Sequence, residues 1–340
     1  MRTSAGAWSL ALLLAAAVIL VSPWRLVDPD ELTSLAVGRF IVETGTVPRT
    51  DPFTFVDPGA AWSNPEWLSQ LSFYSAHRVA GGAGLQALKL VLVALGWVLT
   101  LRLCRARGAS WILSAALLLL GLIGSPMRFT ARATIHAFWL VPTYRLLLHH
   151  ARRRPALLWA LVPLGALWSN LHSSFVVGWV LLLAEIVEAA QSPREENEGR
   201  PKLWPLAALL ALHPLLPLLS PGGIHDYGQL LDHALETSTY RGLILEWQPS
   251  SALASRAAQL PLHLLSLIGL LSFLPRPNRT RAGDLLVLLA GLALGYSSQR
   301  FLPLMVLLAV PPIAANLTRW TSASSPRVST AAWASALCLA

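Results

Sequence analysis

Several short runs in this chain carry residues able to do chemistry. VDPDEL holds Asp28, Asp30 and Glu31. Two aspartates one residue apart can hold a divalent cation through hard oxygens, and a single carboxylate there can take the proton from an attacking hydroxyl. Either aspartate can equally cap the helix that follows. In Asn64-Pro65-Glu66-Trp67, Glu66 opens a second helical stretch, where a carboxylate also suits the positive end of the helix dipole. MRFTARATIH offers Arg128, Arg132 and His136. The forked guanidinium fits phosphate; snorkelling to a membrane surface is the plainer alternative. WSNLHSSFVVGW holds Trp168, Asn170 and His172, a histidine able to accept a proton, donate to phosphate or bind a metal, or simply to be bonded within its turn. His225, Asp226, Tyr227, Asp232 and His233 follow no metal-site spacing and read most simply as a solvated loop. Glu246 and Trp247, an aromatic beside a carboxylate, suit a sugar-binding surface. In SSQRFLPL, Arg300 has no acid near it in sequence and needs an acidic or phosphate partner, or a route to water.

The elements that must position these residues are membrane helices. Of 340 residues, 54% are hydrophobic and 13% charged, with a mean hydropathy of +0.55. That charged share is about half the usual one for a soluble domain. The net charge of +9 sits in short clusters between apolar runs, which reads as topology signalling and not as a nucleic-acid surface. Cys104 and Cys338 form neither a disulfide framework nor a metal spacing. No phosphate-binding loop, dinucleotide fingerprint, nucleophile elbow or zinc motif is present.

A span needs about 20 mostly apolar residues. Ten runs qualify or nearly so: 7–23, 83–103, 110–126, 133–148, 156–171, 174–190, 203–219, 259–275, 284–299 and 301–316. An eleventh begins near Ser329. The first run follows Arg2 and shows no small-x-small cleavage site, so it is expected to stay as a helix. With the N-terminus in the cytoplasm, every cytoplasmic connection is basic, from Arg102–Gly108 through Leu317–Arg327, as the positive-inside rule requires. Counting 66–80 as a span would invert everything after it, so this segment is expected to lie on the outer surface. Asp30–Thr44 reads the same way, with Leu32, Leu35, Ala36, Val37 and Phe40 as its apolar stripe. All the reactive runs then fall on one side.

The fold expected is all-α: a single polytopic transmembrane helical bundle over 1–340, about 10–11 spans. Residues 24–82 form a first outer loop with two interfacial helices, and 220–259 a second outer loop.

The run DELTSLAVGRFIVETGTVP, followed by FTFVDPGAAWSNPEWLSQLSFYSAHRVAGGAGLQ, resembles the first outer loop of the GT-C superfamily of membrane glycosyltransferases, which includes protein O-mannosyltransferases and the lipid A aminoarabinose transferase. WSNLHSSF, ILEWQP and SQRFLPL resemble a bacterial branch of that superfamily. The resemblance implies that Asp30 is the catalytic acid, with Asp28 or Glu31 beside it. It implies a polyprenyl-phosphate-linked sugar as donor and catalysis on the non-cytoplasmic face of a bacterial inner membrane. Many members carry a second acid in the loop after span three, where this chain has Ala131-Arg132-Ala133-Thr134. The related branch often has His before the glutamate of the second surface helix, where this chain has Asn64-Pro65.

These readings converge on a transferase moving a sugar to a hydroxyl of a lipid, glycan or protein acceptor. Asp30, Asp28 and Glu31 would be its acids, and Asp28 and Asp30 the pair for any divalent cation. Glu66, Arg128, Arg132, Asn170, His172, Glu246, Trp247 and Arg300 would hold its substrates. A carrier or flippase for a lipid-linked glycan, and an inactive assembly subunit that kept the fold, are the other two readings. Against the carrier, ionisable residues are scarce within the spans and no internal repeat shows.

Overall fold

The computed structural model describes residues 5–24, 28–55, 57, 59–125, 129–191, 203–225, 227–228, 244–252, 256–274 and 281–324. Arg128, Asp226, Asp232, His233, Cys338 and the run after Ser329 lie outside them. The described elements are helical, and the one bridge among them is an isolated antiparallel pair, Thr50 with Ala61, closing the loop after the second helix. The helices are α1 (Ala5–Val21), α2 (Pro29–Thr44), α3 (Trp67–Ala106), α4 (Trp111–Ile123), α5 (Ile135–Ala151), α6 (Leu161–Leu171), α7 (Val177–Gln191), α8 (Leu203–Leu212), α9 (Arg256–Leu271), α10 (Ala282–Ser297) and α11 (Leu302–Ser324). Three helical stretches are long and apolar enough to cross a membrane: Trp67–Ala106, Ser173–Gln191 and Gln299–Thr321. The other expected spans fall on shorter apolar helices or, for α5, on a helix that carries His136, Arg145, His149 and His150.

Sequence chemistry explains the two helices that frame the site. Asp28 caps α2, its Oδ1 accepting the Asp30 N–H at 3.1 Å, and Pro29 stands at the first helical position, where its missing donor costs nothing. Gly45 ends the helix at φ +69°, its N–H bonded to the Ile41 carbonyl. The buried face of α2 is not the expected apolar stripe. Glu31, Ser34, Val37, Gly38 and Ile41 face the bundle, while Leu32 is 68% exposed. Val37 of the expected stripe is buried and Leu35 packs against the core, but the close contact at Gly38, where a β-carbon would stand 2.3 Å from the Gln70 carbonyl oxygen of α3, rotates the helix so that Leu32 points out.

Helix α3 is two helices joined at a kink. Ala80 (φ −142°) and Gly81 (φ +58°) break it, and only glycine takes the second conformation without strain. The break falls where the sequence separates a surface helix from a span. The core is built around α11, whose residues Leu304–Ala315 are almost wholly buried, packed on α3, α4, α5 and α10. Short turns connect α6 to α7 and α10 to α11, so both turns end up at the same end of the bundle as the starts of α2, α3 and α5.

Candidate active site

Arg132, in the loop before α5, is the centre of this end. Its Nε lies 2.5 Å from Asp28 Oδ2, its Nη2 2.8 Å from Asp28 Oδ1 and 3.1 Å from Asp30 Oδ2, and its Nη1 donates to Glu246 Oε2. One guanidinium therefore joins the first outer loop, the loop before α5 and the end of the second large loop. Burial works against the Arg132 charge, but the bonds to Asp28 and Glu246, with the charges of Glu246 and Asp30, raise its pKa above the ordinary arginine value.

Glu246 reaches this point because its backbone is tied down. The Ser298 hydroxyl donates to the Glu246 carbonyl at 2.7 Å, and the Gln299 N–H donates to the Gln248 carbonyl at 3.0 Å. The same pinning lays Trp247 over Arg300, whose guanidinium carbon is 4.3 Å from the indole centroid and 5.4 Å from the Phe301 ring. Arg300 Nε is buried and has no acceptor among the described residues. The partner that the sequence left open for Arg300 is thus an aromatic face, with one donor unspent.

Glu66 and His172 form the third part. Glu66 occupies the N-cap position of α3, yet its carboxylate makes no capping bond; Oε1 lies 3.3 Å from His172 Nε2 instead. His172 Nδ1 accepts the Ser174 N–H at 3.0 Å, which places the ring proton on Nε2, shared between Glu66 and the Thr134 hydroxyl at 3.2 Å. Burial, then Arg300 and His136, hold His172 down to about 3, so it is neutral at physiological pH. Burial pushes the Glu66 carboxyl up to about 7; Arg300 opposes this, Asp30 adds to it and Arg132 opposes it. Glu66 retains 36% of its side-chain surface, so it can exchange a proton with whatever occupies the space in front of it. Asn170 sits behind, its Oδ1 accepting the Trp67 indole N–H at 2.7 Å.

Asp30 is the open carboxylate of the set, with 62% of its side chain exposed. Burial of its surroundings raises its pKa, Arg132 lowers it, and Asp28 and Glu246 raise it again, for a net increase. Glu31, its neighbour, points the other way. It is 2% exposed, and its Oε1 accepts the Ala131 N–H at 2.8 Å, so it fixes the loop that presents Arg132. The sequence placed Glu31 among the acids and did not distinguish this supporting position from the open one. His225, from the second-loop set, is exposed. Thr134 and Ser298 were not among the expected residues; each meets its partner across a long stretch of chain, and no local pattern marks such a pairing.

Both Asp28 oxygens and one Asp30 oxygen meet Arg132, and among the described residues no group of three or more His, Cys, Asp or Glu is placed to hold a metal ion. What this end offers is an accessible base, a carboxyl that titrates near neutrality, and a buried guanidinium with a free donor.

No family model and no curated protein matches the chain. Solved structures share its fold, two of them oligosaccharyltransferases of an archaeon. One is the Archaeoglobus fulgidus oligosaccharyltransferase in the apo form, with a TM-score of 0.59 and 12% identity over 92% of this chain and 50% of that one. The other is the archaeal oligosaccharyltransferase AglB from Archaeoglobus fulgidus in complex with an inhibitory peptide and a dolichol-phosphate. It gives a TM-score of 0.65 and 12% identity over 93% and 50% of the two chains. At this identity the likeness is one of fold, and the chain spans about half the length of the structures it matches: it carries the fold that positions the helices of these oligosaccharyltransferases.

Proposed function

We propose that the chain is a polytopic membrane glycosyltransferase of the GT-C type, moving a sugar from a polyprenyl-phosphate-linked donor to an acceptor hydroxyl on the non-cytoplasmic side of a bacterial inner membrane. The observation that carries this reading is the convergence of Asp30, Arg132 and Arg300 from three distant parts of the chain on one end of the bundle. In the reaction, the acceptor oxygen attacks the anomeric carbon and gives its proton to the Asp30 carboxylate. The bond from that carbon to the phosphate oxygen breaks, and its electron pair stays on the lipid phosphate. The charge developing there is met by the free Arg300 Nε and by Arg132 as its contact with Asp30 exchanges. Glu66 and Glu246 line the sugar side, with Trp247 as its aromatic wall. The solved neighbour's dolichol-phosphate and peptide support a lipid-linked donor and an acceptor at such a fold.

The test is sugar transfer in membranes from a labelled polyprenyl-phosphate donor. The variant Asp30→Asn keeps the shape and removes the base, and transfer is expected to fall by about 10²–10⁴-fold. Full transfer by Asp30→Asn would remove Asp30 from the mechanism.

A further inference from the structure

We propose that the end of the bundle opposite Asp30 holds a phosphate-binding site built around Arg145 and Arg107, which takes a free phosphate or the phosphate of a lipid headgroup. In the sequence, Arg107, Arg152 and Arg281 read only as topology charges in separate connections. The fold brings them together. Arg107 caps the end of α3, Arg152 caps the end of α5 with Arg145 about two turns before it, Glu185 and Glu188 stand on α7, and Asp284 is in the first turn of α10. Between them is a small cavity of about 30 Å³, lined by Arg107, Arg145, Arg152, Glu185, Glu188 and Asp284.

The charges around this pocket do not balance. Arg152 is held by Glu185 through two bonds of 2.8 Å, Arg107 Nη2 by Asp284, and Arg281 Nε stands 3.6 Å from Glu188 Oε1. Each of these acids meets an arginine, and among the described residues Arg145 forms an ion pair with none of them. It is 6% exposed, and its Nη1 donates only to the carbonyls of Leu307 (3.3 Å) and Leu308 (2.9 Å); no carboxylate pairs with it among the described residues. Arg107 is buried too, and its Nε has no acceptor among the described residues. A buried guanidinium without a counter-charge is costly, and a phosphate beside it supplies both the charge and the acceptor oxygens. An excess cation, an unspent donor and open space at one place are what such an anion needs.

The test uses the full chain purified in detergent and stripped of lipid. One arm titrates inorganic phosphate at constant ionic strength by calorimetry. The other reconstitutes the chain in phosphatidylcholine nanodiscs with or without phosphatidic acid and counts retained lipid by native mass spectrometry. Saturable binding is expected in at least one arm, and which arm shows it identifies the source of the phosphate. Arg145→Gln should weaken that binding about tenfold or more, the loss of a charge-assisted contact. Glu185→Gln should strengthen it, because it frees both donors of Arg152 for the anion. Should Arg145→Gln fail to fold, Glu185→Gln, whose side chain keeps 12% of its surface, carries the test. No binding in either arm, or binding that Glu185→Gln leaves unchanged, overturns the proposal. None of these residues belongs to the transfer site, so either proposal can fail without the other.

Discussion

At the Asp30 end, one guanidinium is shared by three carboxylates; at the opposite end, three carboxylates each hold their own arginine and a further arginine is left over. Both ends gather buried charge at the tips of the same helices, but among the described residues the surplus has opposite sign. Surplus acid leaves one carboxylate, Asp30, open and somewhat basic. Surplus arginine leaves a cation without a counter-charge. The sign of the surplus thus separates a place suited to taking a proton from one suited to holding an anion, although each is built from Arg, Asp and Glu.

Substitutions at the Asp30 end test this contrast from the largest expected effect downward. Arg300→Met removes the donor proposed to meet the departing phosphate. Transfer is expected to fall by about 10²–10³-fold, the loss typical of one stabilising donor; a loss confined to donor affinity would limit Arg300 to ground-state binding. Arg132→Met leaves Asp28, Asp30 and Glu246 facing one another without a cation. Because Arg132 keeps 24% of its side chain exposed, a loss of roughly 2–4 kcal/mol in unfolding free energy is expected, toward the lower end of what breaking a buried pair costs. An unchanged thermal midpoint would show that water already neutralises the cluster.

Glu66→Gln sharpens the picture through pH. The folded-state pKa of Glu66 is raised from 4.5 to about 7, so the folded protein holds this proton more tightly than the unfolded chain does. Stability contributed by the protonated carboxyl is fully present below about pH 4.5 and is lost as pH rises through about 7. Thermal midpoints measured across that window should decline more steeply for the native chain than for Glu66→Gln. Parallel curves would mean that Glu66 titrates as an ordinary surface acid. The smallest effect is expected at Arg39, whose pair with Glu43 is 65% and 56% exposed; Arg39→Gln should change neither transfer nor stability measurably.

Much of this arrangement is legible in the chain because it is local. The cap at Asp28, the stop at Gly45 and the break at Ala80-Gly81 each follow from a few neighbouring residues. The one-sided placement of Asp30, Glu66, His172 and Arg300 follows from counting helices between them. What local pattern could not supply was the facing of α2, because Gly38 packs against α3 and turns Glu31 inward while Leu32 points out. Nor could it pair Arg132 with Glu246, 114 residues apart, or lay Trp247 over Arg300. The charged pocket at the opposite end was hidden for a different reason. Arg107, Arg152 and Arg281 each had a sufficient explanation as topology signals and Arg145 stood within an expected span, and only their convergence shows that no described carboxylate forms an ion pair with Arg145.

The most direct test of the Asp30 end as the donor site is an experimental structure of the chain with a bound polyprenyl phosphate. The phosphate is expected within hydrogen-bond reach of Arg300, with Arg132 drawn from Asp30 toward it and the Asp30 carboxylate facing the position of the sugar's anomeric carbon. A phosphate seated instead against Arg107 and Arg145, with the contact between Arg132 and Asp30 intact, would contradict the account.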